Sequence, residues 1–161
     1  MQWVGHWQKQ PDDPIKSGMT GFQDDLFPRR NVAPRAEVPA ALWEKLARSA
    51  FRRRFHLNAQ DRAYLQEKGL SLVLEHGQDF IARRLAPASP LKDGRQTPWK
   101  GHPVFVAQHA TGTCCRSCLA KWHALPSGRC LSEAEQDYIL SVLAQWLARE
   151  LARSQAPGTE A

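Results

Sequence analysis

Ser132-Glu133-Ala134-Glu135 is the feature that most constrains this chain. A Ser followed three residues later by a Glu can satisfy two orphan backbone N–H groups reciprocally, so the motif marks a helix start. Behind it Tyr138, Ile139, Val142, Leu143, Trp146, Leu147 and Leu151 recur at helical spacing, which predicts a helix over about 133–153. A helix of that length with one apolar stripe must bury it against something. The rest of the chain offers only more helix. From Pro39, the residues Leu42, Trp43, Leu46, Ala47, Ala50 and Phe51 follow the same period. Asn58 is a cap for a helix bearing Tyr64 and Leu65, closed by Gly69. Ser71 can cap the next, whose stripe is Val73, Leu74, Gly77, Phe80, Ile81 and Leu85 and which Pro87 ends. No strand alternation and no internal repeat is present. The fold class is therefore all-α, one compact domain of about five helices.

The chain divides into three parts. Residues 1–38 carry four prolines, acidic pairs at Asp12-Asp13 and Asp24-Asp25, and no period, which reads as an irregular Pro-rich arm. Trp3, Trp7, Phe22 and Phe27 suggest that some of the arm docks. Residues 39–153 form the helical domain, and 154–161 a frayed tail. Within the domain, 86–101 holds three prolines and two glycines. A connection that long inside a compact domain tends to be functional when ordered.

That loop leads into Gly101–His123, where three of the four cysteines (Cys114, Cys115, Cys118) and three of the six histidines (His102, His109, His123) are gathered. Pro103 suits a first helical position, and the stretch is read as one helix to His123. On that helix the three cysteines fall within an arc of about 100°, shared with Val104, Thr111 and Trp122. His102, His109, Arg116 and His123 are spaced by seven on another face. Neighbours in that stripe lie about 10.5 Å apart, too far to share one ion. The alternative is a break at Thr111-Gly112-Thr113, since Gly is a poor interior residue and Thr a possible cap. A break would let His109 approach the thiols.

Three readings of the stretch stand side by side. Cys115-x2-Cys118 has zinc-ligand spacing, and Cys114, His109 or His123 can add ligands, although no second Cys-x2-Cys exists to complete a usual structural site. Cysteines packed as small hydrophobes are the plain alternative, and a reactive thiol is the third. A separate, metal-free enzyme reading uses Asp93, Gln96, His102, His109 and Arg116 as a polar pocket for a phosphate-bearing substrate. No Walker loop, nucleophile elbow or paired-carboxylate motif supports a named reaction. A structural or interaction module with no chemistry completes the set.

Charge bears on partners. The net charge is +6, and residues 39–131 hold 15 Lys/Arg against 6 Asp/Glu. Such a body suits nucleic acid or another polyanion, with Arg52, Arg53, Arg54, Arg83 and Arg84 as the anion-binding candidates. The three consecutive arginines also end a helical pattern, where cations meet the dipole favourably. No apolar run approaches the roughly 20 residues of a membrane span, and MQWVGHWQKQ lacks a signal-peptide core. The expected location is cytoplasmic, where thiols stay reduced.

At FRRRFHL, EHGQDFIARRLAP, DGRQTPWKGHPVFVAQHAT and CCRSCLAKWH the chain resembles a small bacterial family known only as domain of unknown function 4186. The resemblance covers about residues 40–150. It implies a compact bacterial domain and no assigned activity. This sequence departs from the family pattern in having Gly112 in place of alanine, and Cys130 lies outside the motif.

Overall fold

A computed structural model describes residues 36–155 of the chain. The expectations for the N-terminal arm up to residue 35, including its docking aromatics, and for the tail from 156 lie outside the described residues. Those described form seven α-helices and one π-helical turn, with no strand: α1 (Ala40–Arg48), α2 (Ala50–Arg53), α3 (Ala59–Lys68), α4 (Leu70–Phe80) continued by the π turn Ile81–Leu85, α5 (Pro103–Thr111), α6 (Arg116–His123) and α7 (Glu133–Gln155). The all-α class holds. The count exceeds the expected five because two predicted helices are each split in two.

The first split is at Ser49. Its extended backbone (φ −81°, ψ 110°) stops α1, and its hydroxyl accepts from the Arg52 N–H at 3.2 Å to start α2. Ser favours this local bond over helix continuation. The second split is at Gly112, which is left-handed (φ 71°, ψ 28°) and ends α5. The continuous helix from Pro103 to His123 is therefore not formed. A Cβ at this position would also lie 2.7 Å from Trp122 Cγ, so both backbone and space demand glycine.

Other local signals act as read. The Asn58 side chain accepts from the Asp61 N–H at 2.7 Å, and Gly69 closes α3 at φ 81°. That one glycine also opens α4, so Ser71 lies inside the helix rather than capping it. Ser132 and Glu135 exchange the two bonds of a capping box, at 3.2 and 2.8 Å.

The core is built around α5, every residue of which is buried. A helix with no exposed face is an interior element. It lies against α4 and α7, whose Val73, Leu74, Ile139, Leu140, Leu143 and Leu147 are nearly inaccessible. Gly77 sits where α4 comes closest: a Cβ there would meet Leu140 at 3.4 Å and Val104 at 3.5 Å. A smaller cluster joins Leu42 and Leu46 of α1 to Val142 of α7. Two polar side chains of α5 are satisfied locally, Gln108 by the Thr113 carbonyl and Thr111 by that of Ala107.

Candidate metal centre

The break at Gly112 creates the site. Past it the backbone runs extended through Cys115 (φ −157°, ψ 170°), which becomes the N-cap of α6, and Cys118 follows in that helix's first turn. The three cysteines thus follow the corner, two in the segment leading into α6 and one in its first turn, instead of forming one helical stripe. Their sulfurs all lie within 4.8 Å of one another, and Cys114 and Cys115 are buried. All four cysteines of the chain are free thiols; Cys130 is exposed and apart.

The loop that precedes α5 holds this corner in place. Thr97 is buried, and its hydroxyl donates to the Cys114 carbonyl at 2.8 Å. Asp93 Oδ1 accepts from Gln96 at 2.9 Å and from the Arg116 N–H at 3.3 Å, so it caps the start of α6. The Ser117 hydroxyl lies 3.1 Å from Cys115 Sγ.

Arg52 is the residue that completes the cluster. It comes from α2, is 8% exposed, and its guanidinium donates to the His109 carbonyl at 2.6 Å and to Cys118 Sγ at 3.1 Å, with Cys114 Sγ at 3.8 Å. Its face lies over Trp122, 5.5 Å from the ring centre. Among the described residues no carboxylate pairs with it. A buried guanidinium needs a compensating anion, and the sulfurs are what it touches. Hydrogen bonds from Cys114 and Cys118, and one from Ser117, hold the Cys115 thiol well below the usual thiol range. The same bonds to Cys115 and Cys118, reinforced by burial, push Cys114 upward.

The histidines take other partners. His123 Nε2 faces the Thr111 carbonyl at 2.8 Å and its Nδ1 the Tyr138 hydroxyl at 3.0 Å, so both ring nitrogens are engaged. Burial lowers its pKa and keeps the ring neutral. His109 Nε2 bonds the Pro98 carbonyl at 3.1 Å, and its ring is stacked 4.1 Å from that of Trp99. His102 caps α5, accepting from the Val104 N–H at 3.1 Å, while its Nε2 lies 3.1 Å from His76 Nδ1. The group that can close around an ion is therefore Cys114, Cys115 and Cys118.

The residues read as an enzyme pocket are engaged in holding backbone. Arg116 is completely buried and donates to four carbonyls, those of Leu85, Pro87, Pro126 and Arg129, at 2.8–3.2 Å. Asp93 and Gln96 brace the loop, and His102 belongs to a separate aromatic cluster with Tyr64, Phe80 and Phe105. The five anion candidates are similarly dispersed. Arg52 faces the thiols, Arg54 covers Phe51, Arg83 pairs with Asp79 and Arg84 covers Phe80. Arg53 lines a groove beside α7.

Sequence reasoning missed two features. Arg52 meets sulfurs 62 and 66 residues away, and His56 bonds the buried Glu150 at 3.0 Å across 94 residues. Neither pair has a local signal, because the first depends on how α2 meets the Cys corner and the second on how the segment after α2 meets α7.

The fold and site together define a helical domain with a trithiol corner backed by a buried arginine. A family model described as "Domain of unknown function (DUF4186)" matches residues 40–148, and the chain belongs to that family. No solved structure matches it.

Proposed function

We propose that Cys114, Cys115 and Cys118 bind a thiophilic divalent metal ion, zinc foremost, with Arg52 as its fixed counter-cation. The observation that carries this is the convergence of three sulfurs within 4.8 Å. Tetrahedral zinc with bonds of about 2.3 Å brings its sulfur ligands to about 3.8 Å from one another, a spacing that small rotamer changes can reach. Three thiolates around a divalent ion leave one negative charge in excess, and the buried guanidinium balances it. Three protein ligands also leave a fourth position for water or a ligand, as catalytic and transfer sites do and closed structural sites do not. Titration of the full chain with cobalt(II) tests the proposal. Thiolate-to-metal charge-transfer absorption saturating at one equivalent supports it, and loss of that band in Cys118→Ala assigns it. Absence of the band in the reduced wild-type chain overturns it.

The second reading concerns a partner. Trp99 is 62% and Phe51 39% exposed, their rings lie 6.4 Å apart, and Arg54 stacks on Phe51 at 4.4 Å. Exposed rings beside guanidinium groups suit the bases and phosphates of single-stranded nucleic acid. Binding of a short single strand that weakens with salt, and weakens further in Trp99→Ala, supports this reading. No binding at low salt removes it. Cytoplasmic location belongs with this proposal, as reduced thiols require; no helix among the described residues is long and apolar enough to cross a membrane.

A further inference from the structure

A groove runs between α1, α2 and the C-terminal half of α7, with a volume of about 240 Å³. Four guanidinium groups line it, from Arg52, Arg53, Arg149 and Arg153, and the single carboxylate among its described lining residues is that of Glu150. Glu150 is 6% exposed and both its oxygens are committed. Oε1 lies 3.0 Å from His56 Nδ1 and 3.3 Å from Arg153 Nη1, and Oε2 accepts from the Leu57 N–H at 3.0 Å. Arg153 Nη1 also lies 3.0 Å from His56 Nδ1, so carboxylate, imidazole and guanidinium form one linked group. Arg52 is turned to the sulfurs and Arg153 is paired with Glu150, so the positive charge that the groove offers comes chiefly from Arg53 and Arg149.

Its walls are flat and aromatic. Trp43, Trp146 and Phe55 line it, and the Arg149 guanidinium stacks on Trp43, 3.9 Å from the ring centre. Stacking employs the face of a guanidinium and leaves its in-plane N–H groups directed outward, where they match phosphate oxygens in a forked geometry. Cation and ring are thus presented together. The volume lies just below the usual range of about 300–1,000 Å³ for small-molecule pockets, which suits a small ligand of one phosphate and one ring system.

We propose that this groove binds a nucleoside monophosphate, its phosphoryl group held by Arg53, Arg149 and Arg153 and its base laid against the Arg149–Trp43 stack and Trp146. The site meets the thiol corner at Arg52, and the phosphate contacts proposed here do not use that residue. Its Phe55 wall adjoins the surface of Phe51 and Trp99, with ring centres 5.2 and 6.2 Å away.

Calorimetric titration of the full chain with adenosine monophosphate, inorganic phosphate and adenosine tests it at low salt, alongside quenching of tryptophan fluorescence. The expected result is saturable binding of the monophosphate, at least ten-fold tighter than inorganic phosphate or adenosine alone, with fluorescence quenching. Arg149→Gln and Arg53→Gln should each weaken it five-fold or more with an unchanged melting temperature. Arg83→Gln removes the same charge from an arginine paired with Asp79 and should leave affinity unchanged. Equal affinity for phosphate and monophosphate would overturn the proposal, since the aromatic walls would then contribute nothing. An equal loss in Arg83→Gln would overturn it too, by reducing the effect to overall charge, as would no binding by the wild-type chain.

Discussion

Arg52 and Arg116 are both buried arginines, and their partners differ. Arg116, fully enclosed, donates to four carbonyls, those of Leu85 and Pro87 at the end of the π turn and of Pro126 and Arg129 after α6. Carbonyl dipoles spread the charge, and the residue serves as a staple between segments that have no secondary structure of their own. Arg52 has a single carbonyl and two sulfurs. Sulfur in the thiol form is a weak acceptor, so the guanidinium gains most when the three sulfurs are thiolates around a bound metal ion, as proposed. The difference separates a residue that holds the fold from one that holds a charge state. It is the second kind that marks a site.

Replacing each arginine separates the two roles. Arg116→Ala leaves four carbonyls without their donor inside the protein and should cost at least about 4 kcal/mol, comparable to the whole stability of many domains. Circular dichroism should show an unfolded or molten chain, and Arg116→Lys should not restore it because an ammonium cannot fork across four acceptors. A folded Arg116→Ala chain would break the comparison from that side. Gly112→Ala comes next: a left-handed backbone and a 2.7 Å approach to Trp122 should together cost about 1–3 kcal/mol. It should loosen the thiol corner without unfolding the domain, measured as a lower denaturation midpoint. A gain in stability would restore the continuous helix.

Arg52→Met should cost less stability, about 1–2 kcal/mol for the orphaned His109 carbonyl, and its main effect should fall on the site. Zinc affinity, measured by competition with a chromophoric chelator, should drop 10–100-fold, as it does when groups supporting metal ligands are removed. Unchanged affinity would place Arg52 with Arg116 as a staple. The smallest effect expected is a pH dependence away from both arginines. Burial, and then the charge of His76, pushes His102 down to about 4. A histidine kept neutral in the fold adds stability that is present above its unfolded value of 6.5 and is lost as pH falls from there toward 4. His102→Asn keeps a capping side chain, so it should flatten the stability curve across that window; an unchanged slope would assign the dependence elsewhere.

The sequence carried the helix ends whose chemistry is local. Ser132 with Glu135, Asn58 with Asp61, and Gly69 each solve a hydrogen-bond or φ requirement within four residues. The break at Gly112 was harder to read because α5 is buried on every side. With no polar face, its apolar positions show no stripe whose end could be seen, and the left-handed turn is enforced by Trp122, ten residues on. The cysteines were legible as a cluster, but their grouping on one helical arc was not the one formed. Arg52 was visible as one of three consecutive arginines, and nothing local sets it apart from Arg53 and Arg54. Its inward turn follows from Ser49, which starts α2 afresh and sets which of the three faces α5.

Metal content of the untagged chain, purified under reducing conditions without chelator, tests the central claim most directly. Elemental analysis with native mass spectrometry should find one zinc or similar thiophilic ion per chain in the wild type. Cys115→Ser and Cys118→Ala should lack it, and removing it with a chelator should lower the melting temperature of the wild type alone. A wild-type chain with three titratable thiols at the corner, no bound metal, and a melting temperature indifferent to both zinc and chelator would contradict the account.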